Sequence, residues 1–247
     1  GIGELSQIVG FAGITDTPGL EKDKAYAYRL QVSRNTKQVS SVLSYSEVGS
    51  DFNPEMGFIK RENYRKWNGR IFTRFRPDNM FGLLEFRPHV NYDGYWKLDG
   101  FQESGRWHID THWEFRSGFE IHTGMNLVKE GVMQDFEIAS GVIVPASTYD
   151  DKEAQIMIMT NRTKAISFVS MNRIGGFFGG NRINLTPTLN IRFGDKFTSE
   201  LSSQYNEVSL EGGDFITNLI RARLTYSFSP RIYIQSLLQY NSQSDEW

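Results

Sequence analysis

The 247-residue chain contains no cysteine. That excludes disulfide scaffolds, thiolate zinc sites, iron–sulfur clusters and cysteine nucleophiles, and it fits an oxidising bacterial envelope without proving one. Long hydrophobic runs are missing as well. No stretch approaches the roughly 18 consecutive apolar residues of a membrane helix, so a helical membrane protein is excluded. No basic-then-apolar leader opens the chain, which reads as a mature or trimmed sequence. Charge of one sign is not in excess: 27 Lys+Arg face 29 Asp+Glu, a net charge of −2. A nucleic-acid binder needs a basic excess or a dense basic patch, so nucleic acid is not an expected partner. No Pro/Ser-rich linker divides the chain, and residues 1–247 read as a single domain.

What is present is an aromatic load of 18 Phe, 11 Tyr and 5 Trp, too high for a disordered chain. It is arranged in period-two alternation, the mark of strands with two different faces. Trp107, Ile109, Thr111, Trp113 and Phe115 share one face, and His108, Asp110, His112, Glu114 and Arg116 the other. Ile183, Leu185, Leu189, Ile191 and Phe193 likewise oppose Asn184, Asn190 and Arg192; Leu201 and Tyr205 oppose Glu200 and Gln204; Leu224, Tyr226 and Phe228 oppose Arg221 and Arg223. About 13 such segments are expected, with cores near 5–15, 24–35, 38–48, 64–76, 81–92, 94–103, 106–116, 119–129, 132–145, 153–160, 165–173, 182–193, 197–209, 214–228 and 231–241, some of which merge or drop out.

Strands of a soluble sandwich run to about five or six residues, whereas about 9–11 residues suit a tilted bilayer crossing. These segments are of the longer kind. Charged and amide side chains fill one face, as a water-filled lumen requires. Trp67, Trp96, Trp107, Trp113, Tyr92, Tyr95, Tyr226 and Tyr240 fall near segment ends or on the apolar face, where an interfacial girdle sits. The expected fold is an all-β antiparallel transmembrane β-barrel of about 12–16 strands, closed because an open edge in lipid leaves backbone groups unpaired. The competing reading is a large soluble barrel or double sheet with an exposed polar face.

Three strings carry a resemblance: DFNPEMGFIKRENYRKW (51–67), NRINLTPTLNIRFG (181–194) and GGDFITNLIRARLTYSFSPRIYIQSLLQYNS (212–242). Over roughly Tyr26 to Ser242 the chain resembles the C-terminal region of a bacterial family of unknown function, in which a family-9-like carbohydrate-binding module precedes an outer-membrane β-barrel. The amino-terminal module is missing here. The family also continues past the Gln-Tyr-Asn-Ser string into a further strand, so a fragment of a larger barrel is expected. Trp247 could imitate the terminal aromatic of outer-membrane proteins, but residues 242–246 do not alternate. The resemblance implies a bacterial outer-membrane location, lipid and lipopolysaccharide as surroundings, a link to surface glycans, and no established reaction.

The polar-face residues singled out are Arg70, Arg74, Glu85, His108, Asp110, His112, Glu114, Arg192, Glu200, Arg221 and Arg223. They would form either a mixed-charge constriction that filters solutes or a set of opposed charges that plug the lumen. The lipid-facing and girdle set is Trp67, Trp107, Trp113, Phe115, Ile191, Phe193, Tyr226 and Phe228. All four histidines, His89, His108, His112 and His122, fall on the polar face by parity. His108 and His112 lie about 13 Å apart along one strand at roughly 3.3 Å per residue, too far to share an ion. A Ser117–Gly118–Phe119 connection would place His122 opposite Glu114 and diagonal to His112, making His112, Glu114 and His122 the one candidate metal cluster. The other reading of that cluster is a hydrated lining with ordinary ion pairs, and no cofactor is expected.

The GGFFGG string (175–180) is no phosphate loop, since no Lys-Ser/Thr follows; it reads as a turn, bulge or lipid-exposed kink. The Asp51–Asn63 loop either folds inward, makes a surface binding edge, or is a plain long loop. Asp150/Asp151 lie in a turn string, no nucleophile elbow is present, and no enzyme signature appears. The expected function is porin-like passage or surface handling of hydrophilic solutes. Two alternatives stand beside it: a plugged barrel docking other outer-membrane or periplasmic proteins, and an outer-membrane hydrolase.

Overall fold

Alternation of β-branched and aromatic residues with polar ones, punctuated by Gly, Asn and Asp, gives strand after strand joined to its chain neighbour. The computed structural model describes residues 5–243 apart from 56, 58, 60 and 79. Fifteen strands follow in order: β1 (Ser6–Ile14), β2 (Tyr26–Asn35), β3 (Val39–Val48), β4 (Tyr64–Thr73), β5 (Leu83–Lys97), β6 (Gln102–Phe115), β7 (Glu120–Val132), β8 (Phe136–Ala139), β9 (Val142–Val144), β10 (Ser147–Met159), β11 (Ile166–Phe177), β12 (Gly180–Phe193), β13 (Phe197–Leu210), β14 (Gly213–Ser229) and β15 (Ile232–Asn241). One 3-10 turn, Lys22–Lys24, is the sole helical element among the described residues.

Thirteen strands form one antiparallel sheet in which each strand pairs with the next in the chain; β8 and β9 pair only with each other, as a hairpin inserted between β7 and β10. The fold is all-β and antiparallel, as expected. Closure is not: β1 and β15 are the two edges of an open sheet.

Segment boundaries are corrected at two places, and the expected GGFFGG turn is located at a third. The expected strands 81–92 and 94–103 part at Asp93. There β5 runs straight through, and the chain turns at residues 98–101, where Gly100 takes φ +99°. Gly94 serves packing: a Cβ there would lie 2.5 Å from the Tyr92 hydroxyl and 2.6 Å from Trp96 Cη2. The expected strand 132–145 is instead the end of β7 followed by the β8–β9 hairpin. GGFFGG is the end of β11, a two-residue turn and the start of β12. Phe178 (φ +48°) and Gly179 (φ +78°) form that turn, with positive φ at both central positions as a twisted hairpin favours.

Burial is inverted relative to a water-soluble sheet. In β10, Asp151, Glu153 and Gln155 are buried, while Lys152, Ala154 and Ile156 between them are exposed. On the apolar face Trp67, Trp107, Phe193, Tyr226 and Phe228 are exposed, and Trp113, Phe115 and Ile191 are half-buried. No second layer covers the polar face of β10 among the described residues. Its burial therefore comes from neighbouring side chains on a sheet that curves around that face.

Aromatic contacts on the apolar face gather toward the two ends. Toward one end Tyr45 meets Tyr28 (5.9 Å between centroids) and Trp67 (4.7 Å), while Tyr92 meets Trp107 (4.5 Å) nearer mid-strand. Toward the other, Phe86 meets Trp113 (4.6 Å), Phe193 meets Phe197 (5.9 Å) and Tyr226 meets Phe228 (4.9 Å). The first end also carries the three long connections, 15–25, 49–63 and 133–146. Connections at the second end are shorter, the longest being 74–82.

Candidate functional site

Antiparallel register lines polar side chains into rows that cross the sheet. One row runs Phe72, His89, Asp110, Gly124, Gln155, Arg173, Asn184 and Asn206, each directly opposite the next from β4 to β13. The adjacent row runs Arg70, Asn91, His108, Asn126, Glu153, Gly175 and Arg182. Directly opposed positions lie close enough for side chains to interact, so each row is a ladder of contacts.

Two glycines make the rows possible. A Cβ on Gly124 would lie 2.8 Å from Asp110 Cγ, and one on Gly175 would lie 2.3 Å from Lys152 O and 2.6 Å from Glu153 Cα. Small residues therefore stand opposite the two buried acids, leaving room for their carboxylates.

The first cluster surrounds Asp110, which is only 3% exposed. Its Oδ1 accepts from the Thr111 amide at 2.5 Å, and its Oδ2 lies 3.4 Å from His108 Nε2 and 3.9 Å from His112 Nε2. His89 packs edge-on against His112 (4.8 Å, 86°) and lies 5.2 Å from His108. Phe72 closes the group, 5.2 Å from His89 and 6.1 Å from His112, with the Arg74 guanidinium 4.9 Å over its ring and that of Arg70 at 5.9 Å. Parity identifies Phe72 as a polar-face residue; its apolar chemistry hid it.

A hydrogen-bonded chain leaves this cluster along the second row. His108 Nδ1 lies 2.7 Å from Asn126 Oδ1, and Asn126 Nδ2 donates to Glu153 Oε1 at 2.7 Å. Arg182 Nη2 donates to Glu153 Oε2 at 3.0 Å, and Arg173 Nε donates to Gln155 Oε1 at 3.2 Å. Asn126 is wholly buried, 0% exposed. An asparagine so placed must satisfy both ends of its amide, and it does so between a histidine and a glutamate.

The second cluster centres on Arg87. Its guanidinium bonds Glu120 and lies 3.4 Å from Glu114 and 3.7 Å from Glu85; Glu85 also accepts from Arg76 Nε at 2.6 Å. Beside it His112 and His122 stack face to face, 3.4 Å and 8° apart, and His122 Nε2 is 2.8 Å from Glu120 Oε1.

This stack corrects the expected register. His122 stands directly opposite His112, and Glu120 opposite Glu114. The three-residue connection sits one residue earlier than expected, at residues 116–118, which moves every partner by two; Phe115 N is bonded to Phe119 O, and Gly118 at φ +82° closes the turn. Parity is preserved and the partner changes, so Glu120 replaces Glu114 beside His112 and His122.

Arg192, Glu200, Arg221 and Arg223 share the polar face by register, but nothing buries them. Arg192, Arg221 and Arg223 are exposed, and Arg223 reaches Glu200 at only 3.9 Å with both side chains nearly half exposed. Residues 56, 58 and 60 of the 51–63 loop, like Trp247, lie outside the described residues. The start of that loop packs on the 15–25 connection: Asp51 Oδ2 accepts from the Glu21 amide at 2.9 Å, and Thr15 Oγ1 accepts from the Asn53 amide at 3.1 Å.

At the long-loop end the β8–β9 hairpin leans over the β13–β14 turn. Val142 and Val144 are buried, a Cβ on Gly213 would lie 3.3 Å from Val142 Cγ2, and one on Gly212 would lie 2.9 Å from Ile143 O. Phe178 meets Phe136 and Tyr149 edge-on at 5.6 and 5.5 Å. This apolar patch follows from Val142 and Val144 having one short strand for a partner, and period-two reading alone cannot separate it from a spanning strand. No family model matches the chain, and no curated protein or solved structure matches it either.

Proposed function

We propose that the chain forms the wall of a transmembrane β-barrel of a bacterial outer membrane, with its polar face lining a passage for hydrophilic solutes. Inverted burial carries this reading. Trp67, Ile71, Trp107, Ile109, Ile174, Leu201 and Phe228 are each about half exposed, and leaving that surface in water would forgo on the order of 1 kcal/mol of burial free energy apiece. Hydrocarbon tails remove that penalty. A 13-residue strand such as β10 rises about 43 Å, and a tilt of about 45° converts this to about 30 Å, the thickness of a bilayer core. Aromatic groups toward both ends fit the two interfaces, and the unequal connections would put the 15–25, 49–63 and 133–146 loops outside the cell.

In lipid both edges need backbone partners, so β1 and β15 are paired in the membrane, to each other or to further strands. Passage is favoured over a plug because the charges are satisfied within the wall. Arg87 reaches acids on its own strand and on β6 and β7, while Glu153 is met from β7 and β12. The 133–146 hairpin would narrow the outer mouth. The link to glycans rests on the family resemblance alone.

Planar-bilayer recording tests the passage. Discrete conductance steps from the folded protein are expected, growing larger when residues 136–144 are replaced by a Gly-Ser turn. A folded, inserted and silent protein would overturn the passage and favour the docking role. Protein that stays monodisperse in buffer without detergent would overturn the membrane reading altogether.

A further inference from the structure

The histidines around Asp110 are oriented in a way that ion pairing alone does not require. One donor atom from each of His89, Asp110 and His112 lies within 4.8 Å of the others, on the directly opposed and diagonal positions of β5 and β6. Two imidazoles and one carboxylate form a ligand set suited to a divalent first-row transition metal.

The outer contacts of two of the rings are fixed by acceptors. His89 Nδ1 lies 3.3 Å from the Arg87 carbonyl oxygen, which can only accept, so Nδ1 carries the hydrogen and Nε2 keeps a lone pair. His108 is held in the same way. Asn126 spends its NH₂ on Glu153, so its oxygen faces His108 Nδ1 and the hydrogen sits there. A proton on His108 Nε2 makes its 3.4 Å contact with Asp110 Oδ2 a charged pair, so His108 holds that carboxylate in place and is not itself a ligand. Metal-bound histidines commonly donate their second N–H to a carbonyl or carboxylate as His89 does, which fixes the tautomer and raises ligand basicity.

His112 completes the group. Its Nε2 is 3.9 Å from Asp110 Oδ2 and its Nδ1 is 3.8 Å from Glu120 Oε1, and neither separation is a hydrogen bond. The ring is half-buried between two carboxylates with its nitrogens uncommitted.

His112, Glu120 and His122 form a second trio of suitable type. Their geometry is worse. Rings 3.4 Å apart and 8° from parallel direct their lone pairs side by side, whereas coordination to one ion needs lone pairs that converge in the ring planes.

We propose that the inner wall binds one divalent first-row transition metal ion through His89, Asp110 and His112, with His108 held against the same carboxylate by the Asn126–Glu153 chain. This does not depend on solute passage, and its readout is separate from conductance.

The full chain, folded in detergent, would be titrated with Zn²⁺ by calorimetry and with Co²⁺ by visible absorption, with far-UV circular dichroism as the control for folding. One ion per chain is expected. His89→Ala and His112→Ala should each weaken Zn²⁺ binding at least about tenfold, the scale on which even outer contacts of metal ligands act. His122→Ala should weaken it less than either of these, because that ring packs on His112 but is outside the proposed set. No Zn²⁺ binding by the folded protein overturns the proposal. So does binding that survives both His89→Ala and His112→Ala, or binding that His122→Ala abolishes while His89→Ala spares it.

Discussion

β10 and β15 are both strands of the same sheet, and burial treats them differently. In β10 the exposure pattern alternates with every residue from Asp151 to Ile156. In β15 eight consecutive residues, Ile232–Gln239, are exposed on both faces. Gln155 and Gln235 have the same chemistry, yet one is buried against Asn126 and Arg173 and the other faces solvent. Alternation in sequence therefore sets which face a residue takes, and the curvature of the sheet decides whether that face is enclosed.

The ion pairs extend the contrast and give its largest test. Glu153 is buried beneath Arg182, whose side chain is 23% exposed, whereas Glu200 and Arg223 stand 3.9 Å apart in the open. Arg182→Leu leaves a buried carboxylate with Arg173 as its nearest cation, 3.9 Å away, and should cost about 4 kcal/mol in urea unfolding from vesicles. Arg223→Leu should cost less than about 1 kcal/mol. Equal losses would break the comparison, because they would mean that the face around β14 is enclosed as tightly as that around β10.

The outer face comes next in size. Ala154→Arg introduces charge on the exposed side of β10; on the proposed membrane reading that side faces lipid, and a loss of about 3 kcal/mol is expected. An effect under about 0.5 kcal/mol would mean that this face meets water.

Asn126→Leu follows. It strands His108 Nδ1 and one Glu153 oxygen, and a loss of about 2 kcal/mol is expected by the same unfolding assay. The smallest effect belongs to Gln235→Leu in β15, within about 0.5 kcal/mol. A loss as large as that of Asn126→Leu would mean that Gln235 is enclosed as Gln155 is.

Much of the wall is legible from the sequence. Trp107 and His108 announce opposite faces of β6, and His89, His108, His112 and His122 all lie on the polar one. What parity cannot give is offset. Parity with a 117–119 connection puts His122 opposite Glu114, and it stands opposite His112, because a turn one residue earlier shifts the register by two without changing which face any residue occupies. Asp93–Gly94 has the composition of a turn but sits inside β5, where the absent side chain makes room for Tyr92 and Trp96. Val142 and Val144 alternate like a spanning strand but belong to a short hairpin, since alternation records two unlike faces and not what lies against them.

By itself the sequence determined the two-faced strands, the antiparallel order of neighbours and the allocation of charge to one side, because the period of two is a property of the extended backbone. The tertiary structure alone decided which polar groups meet. Asn126 between His108 and Glu153, Gly124 opposite Asp110, and the exposed face of β15 at an open edge depend on register and curvature. Those are set by turn geometry and by packing across strands distant in the chain.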